Sequence, residues 1–510
     1  MSVRLSQLLE GVCAVPAALD RDIGAVCVDS RETVPGALFL AVAGLTTHGL
    51  AFTEAALAAG AVALCWEPAP GRSPPQLPAG FAAFAVPGLG QQVGRIAARA
   101  AGDPSAHMRV LGVTGTNGKT SISQIYAQAL TDAGERCGVL GTLGYGLYGA
   151  LSAGEHTTPD AVRVQQLLAG FRAAGAGHAA LEVSSHALDQ GRVAGVRFNT
   201  AVFTNLTRDH LDYHGDLEAY AAAKRKLFRW PELSLAVVNA DDAIGRTILA
   251  ELPGSVRAVA YGLDANEVGS ARASARVLGR RLALDATGLR VAVESDFGEG
   301  ELRARLLGRF NAANLLAVLG ALAAGGMPFA RALELLASAR TVPGRMECFG
   351  GHGGPLVVVD YAHTPDALGQ VLLAARPHST GRLVCVFGCG GDRDQGKRPQ
   401  MGAVAAAHAD QVVLTDDNPR TEDPDRIVAE IAAGVAAPQR AKLAVERDRA
   451  KAIAGAVAAA RAGDVVLVAG KGHEDYQIVG REKRPYSDRA TVARLTGDPL
   501  PERTGQGARA

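Results

Sequence analysis

Neither sign of charge is in excess in this sequence: 52 Lys and Arg stand against 51 Asp and Glu in 510 residues. That balance leaves no basic footprint for nucleic acid and no polybasic face for a membrane. Cysteine is sparse, with seven residues at positions 13, 27, 65, 137, 348, 385 and 389 and no CxxC. Cys385 and Cys389 are too isolated from other soft ligands to suggest zinc, and all seven read as reduced thiols of a cytosolic protein. No signal peptide is visible, because the first twenty residues carry Arg4, Glu10 and Asp20 and lack a long apolar stretch. A membrane-spanning run is missing as well. The longest uncharged stretch lies between Arg309 and Arg331 and contains Asn311, Asn314, Gly325, Gly326 and Pro328, so it reads as a core helix and its stop. A soluble, cytoplasmic protein of about three domains is expected, with no nucleic-acid or membrane partner. Hydrophobic residues, at 48%, suffice to give each domain a normal core.

What is present begins with Gly115-Thr116-Asn117-Gly118-Lys119-Thr120. The segment follows the apolar run Val110–Val113 and precedes a helix-like stretch from Ser121 to Ala133. Strand, glycine turn and helix N-terminus together form an anion cradle: backbone N–H groups and the helix dipole face phosphate oxygens, the lysine neutralises them, and the threonine hydroxyl can hold Mg²⁺. Val113 occupies the first glycine position of the strict P-loop pattern. A glycine turn without function is the competing reading, and the strand–turn–helix context argues against it.

Strands and helices alternate throughout, which predicts α/β layers. Residues 1–88 form a first unit, with strands at Val26–Val28 and Ala37–Val42, a helix at Thr53–Ala59, and a Pro-rich loop from Pro68 to Pro78. A central unit, 89–343, holds the phosphate loop, further strands at Ala179–Val183, Ala201–Phe203 and Ala236–Val238, and a β-like, polar-alternating stretch from Glu267 to Arg305 that reads as a small antiparallel sheet. In the third unit, 344–510, apolar strands at Val357–Asp360, Val384–Phe387, Val412–Thr415 and Val465–Val468 each end in a polar loop. In an open parallel sheet such loops are where ligands sit. The tail, 497–510, is expected to be disordered.

Several residues could carry chemistry. Glu182 ends an apolar strand and could hold Mg²⁺ against nucleotide phosphates; a strand-end acid capping the next turn is the alternative. Thr204 to Gly215 is dense in polar groups for a segment after a buried strand, and His210 within it is a candidate metal ligand. Lys224, taken by itself, is a solvated helix lysine. Gly388–Arg393 and Gly470–Glu474 are glycine-rich strand-end loops, and Asp417-Asn418-Pro419-Arg420 follows a strand in the same way. Arg393, Arg420 and Glu474 converging on one pocket would suit a zwitterion with carboxylates and an ammonium, although a helix C-cap explains the glycines nearly as well.

Together these segments resemble the Mur ligases, the ATP-dependent amino-acid-adding enzymes of peptidoglycan synthesis. The resemblance runs over nearly the whole chain, through Asp29-Ser30-Arg31, Gly115–Ser121, Glu182–His186, Asn205–Gly215, Asn311–Leu315, Gly344–Glu347, Asp360–Asp366, Asp417–Arg420 and Gly470–Gln477. The Asp417–Arg420 motif is similar to that of the diaminopimelate-adding type. The resemblance implies a three-domain fold: a UDP-sugar-binding domain, a central P-loop ATPase domain and a C-terminal Rossmann-like domain. It implies an ATP-dependent amide-forming ligase (EC 6.3.2.13) that adds meso-diaminopimelate to the D-glutamate of UDP-N-acetylmuramoyl-L-alanyl-D-glutamate through an acyl phosphate. The cofactors would be ATP and Mg²⁺, the partners small-molecule substrates, and the protein a monomer serving cell-wall biogenesis, cell shape, cell division and the cell cycle.

By the same resemblance, Val28, Ser30, Leu45, Thr46 and Thr47 would hold the UDP-sugar. His156, Thr157, Thr158, Ser184, Gln190 and Arg192 would hold the muramoyl-dipeptide; position 156 is often asparagine in the family. Gly115, Thr116, Asn117, Gly118, Lys119, Thr120 and Ser121 would bind ATP phosphates, and Asn311, Arg345 and Asp360 would contact ATP when the domains close. Thr120, Glu182, His210 and Lys224, the last as a carbamate (N6-carboxylysine), would form the metal site, with Lys119, Lys224, Glu182 and His210 the catalytic set. Arg393, Asp417, Asn418, Pro419, Arg420, Gly470 and Glu474 match the diaminopimelate pocket.

Two other readings compete. A folylpolyglutamate synthetase or another amide ligase of the same superfamily would share the phosphate loop without needing the first domain or the Asp417–Arg420 motif. A regulatory P-loop ATPase or GTPase would not explain the polar strand-end loops, and no Asn-Lys-x-Asp base-reading motif is present.

Overall fold

The computed structural model describes residues 2–44, 47–71, 75–154, 156–207 and 209–500. They pack as two compact units, residues 2–260 with 270–274, and 261–269 with 275–500.

The first unit opens with a four-stranded parallel sheet, Ala25–Cys27, Ala37–Ala41, Ala63–Trp66 and Ala82–Ala85 in that order. Every residue of Ala37–Ala41 is buried, as a parallel strand covered on both faces requires. Strand alternation sends Leu38 and Leu40 to one core with Leu5, Leu8 and Ile23, and Phe39 to the other with Ala56 and Leu64. The helix Leu89–Ala100 adds Leu89, Val93 and Ile96 to the first of these cores.

The phosphate-loop sheet follows in the same unit. Its parallel strands run in the order Cys137–Gly141, His178–Glu182, Arg109–Thr114, Thr200–Phe203 and Leu235–Asn239. An antiparallel hairpin, Gly144–Leu147 with Ala150–Ser152, borders Cys137–Gly141. The chain leaves Arg109–Thr114 toward one side and later returns to the other, so this strand lies at the point where strand order reverses. The crevice at its carboxyl end is where an α/β sheet binds ligands. The helix expected after the glycine turn spans Lys119–Asp132.

In the second unit, three antiparallel strands, Ala275–Asp285, Gly288–Ser295 and Gly298–Ala304, occupy the stretch read as a small antiparallel sheet. The uncharged run after Arg309 is a helix, Arg309–Ala324, buried along most of its length. A second sheet has the order Glu347–Gly350, Leu356–Asp360, Val465–Ala469, Leu383–Phe387, Gln411–Leu414 and Leu443–Val445, parallel except for its first strand. Its central strands are entirely buried valine-rich runs, and apolar cores cover both faces. A hairpin, Tyr476–Val479 with Glu482–Pro485, and the helix Asp488–Thr496 complete the unit. Among the described residues no helix is long and apolar enough to cross a membrane, and all seven cysteines are free.

Candidate active site

Strand register builds the phosphate loop. Val113 lies opposite Glu182, and Thr114 opposite Phe203, so the ends of three strands meet beside residues 115–118. Gly115 has φ 145°, and a Cβ there would lie 1.8 Å from Thr204 Oγ1, so only glycine lets the loop pass. The loop is latched from below: the Thr116 N–H donates to the Asn205 carbonyl at 2.8 Å, the Asn117 N–H to Asn205 Oδ1 at 3.0 Å, and Thr204 Oγ1 to the Asn117 carbonyl at 2.6 Å. The neighbouring helices Ala161–Ala173, Ser185–Asp189 and Leu217–Arg225 are capped by the side chains of Asp160, Ser184 and Asp216. The phosphate-loop helix starts at Gly118, φ 91°, with no side-chain cap. No cap side chain therefore competes for its first-turn N–H groups, an arrangement that suits an anion.

Lys119 Nζ folds back onto the carbonyls of Gly115 and Thr116 at 2.9 and 2.8 Å. Burial pushes its ammonium down, and the charges of Glu182 and Asp209 oppose that. The Gly115 carbonyl also accepts from Lys224 Nζ at 2.9 Å. Lys224 is therefore no solvated lysine, as its helix position alone suggests: it is 1% exposed, on the inner face of Leu217–Arg225. Burial, with a smaller push from the Lys119 charge, lowers its ammonium to about 7, and Asp209 opposes. Its Nζ stands 4.3 Å from the centroid of the Tyr220 ring. An amine near 7 is neutral in a large fraction at physiological pH, which is the state that captures CO₂.

Glu182 is fully buried, and burial pushes its carboxyl up. Thr120 Oγ1 donates to its Oε2 at 2.9 Å, the Thr142 N–H to Oε1 at 3.0 Å and Thr142 Oγ1 to Oε2 at 3.1 Å; these bonds and the Lys119 charge pull it back. A hydroxyl and a carboxylate so paired, in a site that penalises uncompensated negative charge, have the oxygen chemistry a Mg²⁺ ion takes alongside phosphate oxygens. His210, with φ 53°, is half exposed beside Asp209 and stacks edge-on against His186 at 5.0 Å between ring centroids. Among the described residues no three His, Cys, Asp or Glu side chains cluster as a ready metal site. His210 and Glu182 are thus not assembled into one by protein ligands alone.

On the other side of Glu182 the structure gathers most of the residues assigned to the muramoyl-dipeptide. Thr158 Oγ1 donates to the Glu182 carbonyl at 2.7 Å and accepts from the Ser184 N–H at 3.3 Å. Arg192 donates to the Thr158 carbonyl at 3.0 Å and to Gln190 Oε1 at 2.9 Å, and Gln190 donates to the Tyr213 hydroxyl at 3.1 Å. Thr157 Oγ1 lies 3.0 Å from Thr142 Oγ1. His156 is tied through its backbone to the Tyr145 hydroxyl. Sequence reasoning passes over Thr142 and Tyr145, which follow a strand too glycine-rich to stand out. Val28, Ser30 and Thr47 belong to the N-terminal sheet region and share no hydrogen bond with this cluster among the described residues. Leu45 and Thr46 lie outside the described residues, as do residues 501–510 of the tail.

The second unit holds its own polar site at the strand ends. Asn418 Nδ2 donates to Glu474 Oε2 at 3.1 Å, and its Oδ1 accepts from Lys471 Nζ at 3.1 Å and from the Ile478 N–H at 2.9 Å. Lys471 Nζ also meets Glu474 Oε2 at 2.9 Å. Lys471 is fully buried, and nothing in the linear pattern marks it as a site residue apart from the glycines beside it. Burial pushes the Asp417 carboxyl up, against the charges of Arg449 and Lys471. Gly470 faces it, with room that a Cβ would fill 2.7 Å from Asp417 Oδ2. Arg420, at φ 52°, donates to the Gly391 carbonyl at 2.8 Å, while Arg393 is exposed. Asp360 is buried and accepts from the N–H groups of Met346 and Ala362 at 2.8 and 2.7 Å; Arg345 lies 5.4 Å from the Tyr361 ring centroid. Asn311 is buried and bonded to the Leu307 carbonyl and to Asn314.

Models of the Mur ligase family match three stretches of the chain: the Mur ligase family catalytic domain at residues 22–99, the Mur ligase middle domain at 113–322 and the Mur ligase glutamate ligase domain at 344–472. The chain belongs to the Mur ligase family. Members of this family are ATP-dependent amide-forming ligases with an N-terminal, a central and a C-terminal domain, and the four-stranded sheet, the phosphate-loop sheet and the six-stranded sheet overlap the three matched stretches in turn. The protein named UDP-N-acetylmuramoyl-L-alanyl-D-glutamate–2,6-diaminopimelate ligase from Alkalilimnicola ehrlichii is 52% identical over 97% of this chain and 99% of its own length. Its namesake from Ectopseudomonas mendocina is 51% identical over 96% of this chain and 97% of its own. A solved structure of a ligase of that name superposes with a TM-score of 0.78 at 36% identity, covering 98% of this Mur ligase and 99% of that chain.

Proposed function

We propose that this Mur ligase joins meso-diaminopimelate to the D-glutamate side-chain carboxylate of UDP-N-acetylmuramoyl-L-alanyl-D-glutamate, converting ATP to ADP and phosphate. The observation that carries the substrate assignment is the full-length likeness to the A. ehrlichii ligase of that name. The network of Asn418, Lys471 and Glu474 beside Arg420 gives it chemistry, since carboxylate, amide and cationic groups side by side suit an amino acid with two ammonium and two carboxylate groups.

In this reading the uncapped helix N-terminus and Lys119 hold the ATP phosphates, with Asn311, Arg345 and Asp360 as further ATP contacts. The γ-phosphoryl passes to the acceptor carboxylate, and the diaminopimelate amine displaces phosphate from the acyl phosphate. Thr157, Thr158, Ser184, Gln190, Arg192 and His156 orient the acceptor, so its carboxylate meets the phosphate in line without a protein nucleophile. Lys224, as neutral amine, bonds to CO₂ and loses a proton, leaving a carbamate. That anion, with Thr120, Glu182 and His210, would hold Mg²⁺, whose charge would offset that on the transferring phosphoryl group. Val28, Ser30 and Leu45 to Thr47 would hold the UDP-sugar, and Arg393, Asp417 to Arg420, Gly470 and Glu474 the diaminopimelate. Segments 1–88, 89–343 and 344–510 are assigned to UDP-sugar, ATP and amino-acid binding, in a cytoplasmic monomer that serves the growth and division of the cell wall.

The test is phosphate release by the purified protein with ATP, Mg²⁺ and the UDP-muramoyl-dipeptide, comparing meso-diaminopimelate with L-lysine. Release that depends on diaminopimelate is expected. Release with lysine alone would keep the ligase and discard the pocket assignment, and release with neither would point to another amide ligase of the superfamily.

A further inference from the structure

Thr142 has no role in the proposed reaction, yet it holds both sides of the site. Its N–H and hydroxyl grip the two oxygens of Glu182, and its Oγ1 lies 3.0 Å from Thr157 Oγ1. The proton directions are determined by chemistry. Ionised, the form that the Thr120 and Thr142 donors and the Lys119 charge favour, Glu182 accepts only, so the Thr142 hydroxyl spends its one proton on it. Thr142 Oγ1 must then accept from Thr157. The result is a directed chain: Thr157 to Thr142 to Glu182, with Thr120 donating to the same Oε2 from the nucleotide side. Gly141, just before Thr142, makes the room: a Cβ there would lie 2.1 Å from Glu182 Oε1.

We propose that Thr142 is a positioning residue that couples the metal–nucleotide side of the site to the acceptor side. By pinning Glu182 through both oxygens it presets the carboxylate for a divalent cation. By accepting the Thr157 proton it leaves the Thr157 oxygen as a hydrogen-bond acceptor toward the bound dipeptide. The inference rests on the assignment of Glu182 to the metal and Thr157 to the acceptor.

Two variants separate this from a packing role. Thr142→Val keeps the shape and the N–H bond to Glu182 but removes the hydroxyl; Thr142→Ser restores the hydroxyl. ADP binding is titrated calorimetrically across Mg²⁺ concentrations, and KM is measured for ATP and for the UDP-muramoyl-dipeptide. Thr142→Val is expected to raise the Mg²⁺ concentration for half-maximal ADP binding roughly tenfold and the KM for the dipeptide severalfold, while Thr142→Ser stays within about twofold of wild type; a lost charge-assisted hydrogen bond has that size. Unchanged Mg²⁺ dependence in Thr142→Val would overturn the proposal, as would equal impairment of both variants with a matching fall in Tm. Wild-type ADP binding that ignores Mg²⁺ would instead refute the underlying metal assignment.

Discussion

Arg398 shows what one side chain does in this fold. It is fully buried and meets Glu422 and Glu430, each at 2.7 Å. Its hydrogen bonds hold the Glu422 carboxyl down at about 2, against an ordinary value of 4.5. A carboxyl depressed in the folded state contributes stability above its unfolded pKa, and that contribution is lost as pH falls through the folded value. The wild-type protein is therefore expected to lose stability as pH drops from about 4.5 toward 2. Glu422→Gln, which cannot titrate, should show a flatter Tm profile over that window. Parallel Tm profiles for the two proteins would refute the assignment. None of this is legible in the linear sequence: Arg398 and Glu422 are 24 residues apart, on the helix Lys397–His408 and in the loop before Pro424. Lys224 makes the same point. Its helix position reads as solvent-facing until packing shows Tyr220 and the Gly115 carbonyl around it.

At the scale of the element, the phosphate loop is legible because its signal is local. Strand, glycines, lysine and helix lie within about twenty residues, and backbone geometry dictates each residue type. The same geometry predicts fragility. Gly115→Ala would place a methyl against Thr204 Oγ1 on a backbone with φ 145°, so the loop must shift while the sheet beneath it stays. Nucleotide affinity is expected to fall at least tenfold with Tm changed by only a few degrees, as read by calorimetry of ADP binding and by thermal melting. Retained affinity would show that the loop has slack the structure does not display. Other elements escape notice. The strands Ala82–Ala85 and Cys137–Gly141 are short and rich in Ala and Gly, so their place in the sheets comes from neighbours and not from strong β-propensity.

At the scale of the molecule, the second unit is held together by buried ion pairs between segments far apart in sequence. Arg449 meets Asp488 at 2.8 and 2.7 Å, and Arg489 meets Glu347 across 142 residues at 2.6 and 2.8 Å. Both pairs anchor the helix Asp488–Thr496. Breaking one side of such a pair strands a buried charge, so Asp488→Leu is expected to cost about 3–5 kcal/mol, and Arg449→Met with Asp488→Leu distinctly less. Denaturant unfolding of the single and double variants tests this; a double variant as unstable as the sum of the singles would show that the two residues do not act as a pair.

Local periodicity and backbone chemistry are written in the sequence by itself, and they determined the alternating strands and helices, the phosphate loop, the antiparallel stretch before Arg305, and the strand-end placement of Glu182 and of Asp417 to Arg420. Tertiary structure decided which side chains meet and which lose their water. It buried Lys224 and lowered its ammonium, brought Thr142 and Thr120 onto one carboxylate, and placed Lys471 between Asn418 and Glu474. Proton affinity and hydrogen-bond direction depend on burial and on partners from distant segments, and a linear pattern of residues carries neither.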